Sequence, residues 1–295
     1  MSSRPADTGL TIKQRRWISL GFRYLVALVA IAFAMYPVLL IISASLNPVG
    51  RLMNQQIIPA NASLDNYRQL WSDPFNPFPL WLWNSIKVSG ITTVLAVIIT
   101  AFAAYAFSRF RFTGRRNLLL TLVLVQVFPN LLTIVALFLL LQELGNYIPF
   151  LSINSHGGLI LVYLGGVMGI NVWLMKGFFD SIPSELDESA KVDGASDWQI
   201  FWRIIFPLVR PILAVIAVLT FIGTFGDFIL ASVLLQTSEQ YTFMVGLYRF
   251  ISGTFNENWG VFAAGAVVGA VPIVAIYLIL QDQIVSGLTA GSVKG

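Results

Sequence analysis

The sequence predicts an all-α integral membrane protein with six transmembrane helices. Only 11% of the 295 residues are charged and 57% are hydrophobic, against about 25% charged in ordinary soluble domains. Long uncharged runs recur along the chain, and its 18 Lys and Arg residues are distributed unevenly around them. Together these observations exclude an ordinary soluble protein.

The bilayer core is about 30 Å thick and needs about 20 apolar residues per helix. No charge occurs between Arg23 and Arg51, Lys87 and Arg109, Arg116 and Glu143, Glu143 and Lys176, or Glu257 and Asp282. These gaps hold 27, 21, 26, 32 and 24 residues. A sixth run, Pro211 to Leu235, is interrupted only by Asp227. The expected spans are therefore 20–46, 85–108, 118–142, 158–178, 211–236 and 260–283. Outer-membrane strands are about 10 residues long and alternate in polarity, whereas LLLTLVLVQVFPNLLTIVALFLLL is apolar all round. The first run has basic residues before it and Ser43-Ala44-Ser45 near its end. It is longer than a signal-peptide core of about 7 to 15 residues, so it reads as a retained helix.

Short loops rich in Lys and Arg stay in the cytoplasm. Arg4, Lys13, Arg15, Arg16 and Arg23 precede the first span, and Arg109, Arg111, Arg115 and Arg116 separate the second and third. Lys176, Lys191, Arg203 and Arg210 fall around the loop between the fourth and fifth, and Lys294 is in the tail. That side holds 14 basic residues; Arg51, Arg68, Lys87 and Arg249 are the 4 on the other. Both termini are expected to be cytoplasmic. The net charge of +4 then follows from this bias and calls for no nucleic-acid partner.

The organisation that follows is a cytoplasmic segment 1–19, a membrane domain 20–286 and a cytoplasmic tail 287–295. External loops are expected at 47–83 and 237–259, and a cytoplasmic loop at 179–210. Trp81 and Trp83 suit an interfacial belt at the start of the second span. In the cytoplasmic loop, Ser181 is placed to N-cap a helix beginning near Pro183, with Gly194 as its C-cap. Leu186, Ser189, Ala190 and Asp193 follow i, i+3, i+4, i+7 and are expected on one face. Ser196 is placed to cap a second helix carrying Trp198, Phe201, Trp202 and Ile205, stopped at Pro207. A hairpin with a small-residue knob results. Periodicity alone leaves open whether it docks another protein or covers its own bundle.

The residues Glu188-Ser189-Ala190, then Asp193-Gly194-Ala195, followed by Phe201, Ile204, Pro207 and Pro211, resemble a known motif. It is the Glu-Ala-Ala loop of permease subunits in bacterial ABC importers of the binding-protein-dependent carbohydrate class. Ser189 stands where that pattern has Ala and stays small. PLWLWNSIKVSGI at 79–91, INSHGGLILVYLGG at 153–166 and GLTAGSVKG at 287–295 resemble maltose/maltodextrin members of the same family. The resemblance extends from about residue 20 to the end.

The resemblance implies the type I permease fold with a cytoplasmic coupling hairpin. It implies a heterodimer with a larger homologous permease, two ATPase subunits, and an external sugar-binding protein. It assigns ATPase coupling to Leu186, Glu188, Ser189, Ala190, Asp193 and Gly194. The tail residues Gly291, Ser292, Val293 and Lys294 would enter the ATPase interface; the alternative is a frayed terminus. Gly253, Thr254, Phe255, Asn256, Glu257 and Asn258 would touch the binding protein; the alternative is an ordinary polar loop. In the resembled family sugar contacts come mainly from the larger permease subunit, so no sugar-binding residue is named in this chain. ATP and Mg would be used by the partner ATPases, with no cofactor bound here, because the chain lacks a Gly-x-x-x-x-Gly-Lys-Ser/Thr phosphate loop.

Asp227 is the acidic residue set well inside an apolar run, a functional candidate by default. A structural hydrogen bond, or a position nearer the surface, is the alternative. His156, without Cys or a second His, lacks co-ligands for a metal site and reads as a loop-packing residue. The pairs Gly165/Gly169 and Gly265/Gly269 suit close helix packing. No catalytic residue is expected, since no intramembrane Ser/His pair can be built. A stand-alone secondary transporter or channel for a small polar solute is the other function considered. It would need charged rings, a proton relay or broken inverted repeats.

Overall fold

The computed structural model describes residues 12–48, 58–59, 61–127, 130–253 and 258–292. All regular structure among them is helical. The long elements are α1 (Ile12–Leu46), α3 (Phe78–Arg109), α6 (His156–Asp180), α9 (Phe206–Phe225) and α12 (Trp259–Ser292). Shorter ones are α2 (Asp65–Ser72), α4 (Arg115–Val127), α5 (Asn130–Tyr147), α7 (Glu185–Val192), α8 (Asp197–Ile200), α10 (Ile229–Leu234) and α11 (Phe243–Tyr248). Among the described residues, 5 helices are long and apolar enough to cross a membrane, or up to 6 if the bent pair α4–α5 is one span.

The expected span 118–142 is built as a bent pair of helices. Arg115–Val127 and Leu132–Tyr147 lie at 110° to one another. The break falls beside Pro129 in the sequence, and a proline inside a helix lacks the amide hydrogen and crowds the preceding turn. A second break falls in the span 211–236. Helix α9 ends at Phe225 with Gly226 as its C-cap, and the chain restarts as α10 at Ile229. The final helix is longer than expected, running on to Ser292.

Helix α3 is the centre of the bundle, packed on α6 and α9. Its first turns bury Phe78 and Trp81 among Leu70, Phe225, Phe243 and Leu247. Its middle packs Val88 near Leu141, Leu159 and Leu234, and its far end packs Ala101, Ala104 and Tyr105 against Met175, Phe179 and Ile205. Polar side chains tie the loops to this frame. Trp81 donates its indole N–H to Ser238 O at 2.8 Å, and Ser85 Oγ accepts from Phe243 N at 2.7 Å. His156 Nε2 lies 2.9 Å from Gln240 O, the packing role expected of it. Both Gly265 and Gly269 permit close packing: a Cβ there would lie 2.4 Å from Leu247 and 2.1 Å from Phe243.

Candidate functional site

The 179–210 segment forms a hairpin clamped to the end of α3. Ser181 does not N-cap α7; it closes α6, its Oγ donating to Phe178 O at 2.7 Å. Ser184 takes the N-cap position without a side-chain bond, and Glu185, Asp187 and Glu188 in the first turn complement the helix dipole. At the other end Ala195 N donates to Ala190 O at 2.9 Å and Gly194 N to Lys191 O at 3.0 Å. That bond pair is a Schellman cap, and Gly194 takes the left-handed conformation it demands, with φ of 84°. Ser196 and Gln199 then form a reciprocal capping box that starts α8.

Pro207 does not stop this second arm. Residues 201–205 form a π-helical turn in which Phe206 N donates to Phe201 O, and the chain runs on into α9. The wider turn shifts the bonding register just before a residue without an amide hydrogen. The arm is held against α3 by stacked rings: Phe102 lies 4.9 Å from Phe201 and 5.8 Å from Trp198 between centroids.

The expected common face of α7 divides. Ala190 is buried with Phe179, Ile200 and Phe201, whereas Glu188, Ser189, Asp193 and Gly194 are exposed and Leu186 is 40% exposed. The inward stripe consists of Asp187 and Ala190, an i, i+3 pair, which turns Ser189 and Asp193 outward. Val192 at 88% and Trp198 at 63% exposure extend the open surface.

Two residues outside the expected set hold the hairpin in place. Arg109, the last residue of α3, pairs with Asp187 through Nε–Oδ2 at 2.5 Å, and the two side chains are only 13% and 10% exposed. The same guanidinium donates to Ile182 O at 2.9 Å. Burial pushes the Asp187 carboxyl above its ordinary value, although the charges of Arg109 and Lys191 pull it back. Beside this clamp, Ser108 Oγ donates to Asp180 at 2.7 Å, and Asp180 also pairs with Lys176. Arg109 is the first charge after a 21-residue uncharged run, a signal that it ends a span; nothing in the sequence links it to Asp187.

Asp227 lies in the break between α9 and α10. Its carboxylate accepts from Leu230 N at 3.1 and 3.2 Å and Ala231 N at 3.4 Å, so it caps α10. Tyr163 Oη of α6 donates to Oδ2 at 3.3 Å. Both side chains line a cavity of about 590 Å³ between α4, α5, α6, α9 and α10. The Asp227 bond to the backbone therefore holds, together with a place on a cavity.

In the loop expected to touch a binding protein, Thr254, Phe255, Asn256 and Glu257 lie outside the described residues. Asn258 is structural: its Oδ1 accepts from Val261 N at 3.1 Å at the start of α12, and its Nδ2 donates to Gln69 Oε1 at 3.2 Å. Gly253 precedes the undescribed stretch. Of the tail, Gly291 and Ser292 continue α12, while Val293 and Lys294 lie outside the described residues.

Apolar spans around a central helix, with one capped hairpin clamped beneath them, define a polytopic membrane permease component. The family model for the binding-protein-dependent transport system inner membrane component matches residues 96–289, and the chain belongs to that family. It is a non-catalytic membrane subunit of an ABC importer. The chain is 43% identical over 285 residues to the galactooligosaccharides transport system permease protein GanQ of Bacillus subtilis, covering 96% of this chain and 99% of that one. It is 41% identical over 298 residues to the maltose/maltodextrin transport system permease protein MalG of Vibrio parahaemolyticus, covering 97% and 98%. The match to MalG of Escherichia coli K12 is 41% over 284 residues, covering 92% and 95%. Among solved structures, a bacterial ABC transporter for import of the acidic polysaccharide alginate superposes with a TM-score of 0.76 at 25% identity, covering 92% of this chain and 98% of that one.

Proposed function

We propose that this chain forms half of the translocation pathway of an ATP-driven, binding-protein-dependent importer for oligosaccharides of the maltodextrin or galactooligosaccharide kind. The end-to-end similarity to permeases named for those sugars carries the reading. Its partners are a larger homologous permease, two ATPase subunits that use ATP and Mg, and an external sugar-binding protein; the chain itself binds no cofactor. The basic residues around the hairpin and before α1 orient the protein with both termini in the cytoplasm.

In this reading the exposed side of α7, with Leu186, Glu188, Ser189, Asp193 and Gly194, enters a cleft on an ATPase, and Ala190 fixes the helix from behind. The tail residues Gly291 to Lys294 reach the ATPase interface, and residues 253–258 face the binding protein. Transport follows by population shift: nucleotide and loaded binding protein must each favour the same outward-facing state. The test is affinity purification of the tagged chain from native membranes, with stoichiometry. One homologous permease and two ATPase copies, with sugar-dependent ATP hydrolysis on adding binding protein, are expected. Recovery of the chain alone, from detergent in which a known membrane complex survives, overturns the assignment.

A further inference from the structure

We propose that this chain contacts the oligosaccharide itself, at a subsite where Asp227 and Tyr163 meet a glycine-lined wall of the cavity between α4, α5, α6 and α9. The inference rests on the importer reading above and adds a ligand contact to it. The cavity's volume of about 590 Å³ lies in the range of small-molecule sites, about 300–1,000 Å³. Its wall is mostly apolar, with polar side chains from Gln126, Thr133, Tyr163, Thr224 and Asp227.

Three glycines mark the space as kept open. A Cβ added at Gly165, Gly166 or Gly223 would meet no atom within 4 Å, and all three line this cavity. A glycine inside a helix costs about 0.5–1 kcal/mol relative to alanine, and packing does not require it at these positions. Gly169, one turn from Gly165, is different: a Cβ there would lie 2.6 Å from Leu122 O, so that glycine serves the contact with α4. One member of the Gly165/Gly169 pair packs and the other opens a space.

The polar groups fit a neutral polyhydroxyl solute. Asp227 is the acidic residue of the wall, so a calcium-type ion would lack the six to eight oxygen ligands it needs. No cluster of three metal-ligating side chains occurs among the described residues. The Tyr163–Asp227 bond at 3.3 Å is longer than the 2.5–3.0 Å of a well-formed hydroxyl bond. A sugar hydroxyl inserted there gains a carboxylate acceptor and a phenol that both donates and accepts. Gln126 already donates to Gly166 O at 3.0 Å, which keeps its amide beside the same wall.

The test uses the whole transporter, reconstituted in proteoliposomes with its binding protein, and radiolabelled malto- or galacto-oligosaccharides of two and four units. Asp227→Asn keeps a capping side chain and Tyr163→Phe keeps the ring; each is expected to lower tetrasaccharide uptake about tenfold, one charge-assisted hydrogen bond's worth. Gly223→Leu fills the cavity and should depress tetrasaccharide uptake at least tenfold more than disaccharide uptake, with complex recovery and unfolding midpoint unchanged. Wild-type tetrasaccharide uptake in all three variants overturns the subsite. So does equal loss for both lengths together with a lowered unfolding midpoint, which identifies a structural role. If the wild-type complex imports neither sugar series, the oligosaccharide reading itself fails and the subsite with it.

Discussion

Replacing Arg109 with Met removes the guanidinium that faces Asp187 and keeps an unbranched apolar stem in its place. At 2.5 Å and an effective dielectric of about 20, the gross attraction between the two groups is about 7 kcal/mol. Removing two charged side chains that are only 13% and 10% exposed from water offsets much of this. The net worth of the pair is therefore small, whereas breaking it is not: a buried charge left alone costs about 3–5 kcal/mol. Arg109→Met should lower the opening free energy of the hairpin by about 3 kcal/mol, which is about a hundredfold loss of amide protection, since 1.4 kcal/mol is tenfold. Hydrogen exchange of the peptide 185–200 reads it, because the Ala195 and Gly194 amides report the Schellman cap directly. The double variant Arg109→Met, Asp187→Leu removes both charges and should recover protection to within about tenfold of wild type. The sign with pH follows from the raised Asp187 carboxyl. The folded hairpin holds this proton more tightly than the unfolded chain does. Ionisation therefore penalises the fold as pH rises from the ordinary aspartate value through the raised one, and acidification into that window relieves it. Without Arg109 the carboxyl rises further, so the single variant should regain protection on acidification while the double variant does not. Unchanged protection in Arg109→Met, or a double variant as exposed as the single, would refute the clamp.

Gly194→Val places a β-branched residue at φ of 84° and should release the hairpin turn, reducing co-purification of the ATPase at least fivefold; full recovery and transport would count against a docking role. Glu188→Lys reverses an exposed charge of the first turn of α7, and should lower sugar uptake tenfold or more while membrane insertion, scored by protease accessibility, stays normal. Gly246→Ala should destabilise the bundle by about 2 kcal/mol or more, because its Cβ would lie 2.1 Å from the fully buried Trp81 ring; a shift in unfolding midpoint of less than 2 °C (about) would show that Trp81 can move aside.

Local chemistry made much of this fold legible. Uncharged runs locate the spans because a charge in hydrocarbon is expensive, and Gly194 and Ser196 mark the hairpin turn, where the bonds are made within a few residues. The bends were less visible. An apolar run reads the same whether it is one straight helix or two, so Pro129 and the Gly226-Asp227 pair were the only marks of the breaks. Pairings across the chain were not visible at all: Arg109 and Asp187 are far apart in sequence, and Asp227 meets Tyr163 only because α6 and α9 pack together. The face of α7 divides for a related reason. Periodicity says which residues share a side, and only the neighbours decide which side is turned inward, as Ala190 shows by sitting among Phe179, Ile200 and Phe201.

The two candidate regions are joined by helices α6 and α9. Helix α6 carries Tyr163 and Gly165 at the cavity and ends at Asp180, which Ser108 and Lys176 hold beside the hairpin. Helix α9 continues from the hairpin's second arm through the π turn and delivers Gly223 and then Asp227 to the same cavity. At 1.5 Å per residue the 20 residues of α9 reach about 30 Å, so both helices extend from the hairpin to the cavity walls. The Arg109 clamp and the Phe102 stack fasten the hairpin to α3 as well. These contacts tie the hairpin to α3 and oppose its sliding along the bundle. On the coupling reading proposed above, a push on α7 would pass to α6 and α9, and at the cavity it would meet the 3.3 Å bond that ties Tyr163 of α6 to Asp227, just beyond the end of α9, between polar groups that a ligand could also use.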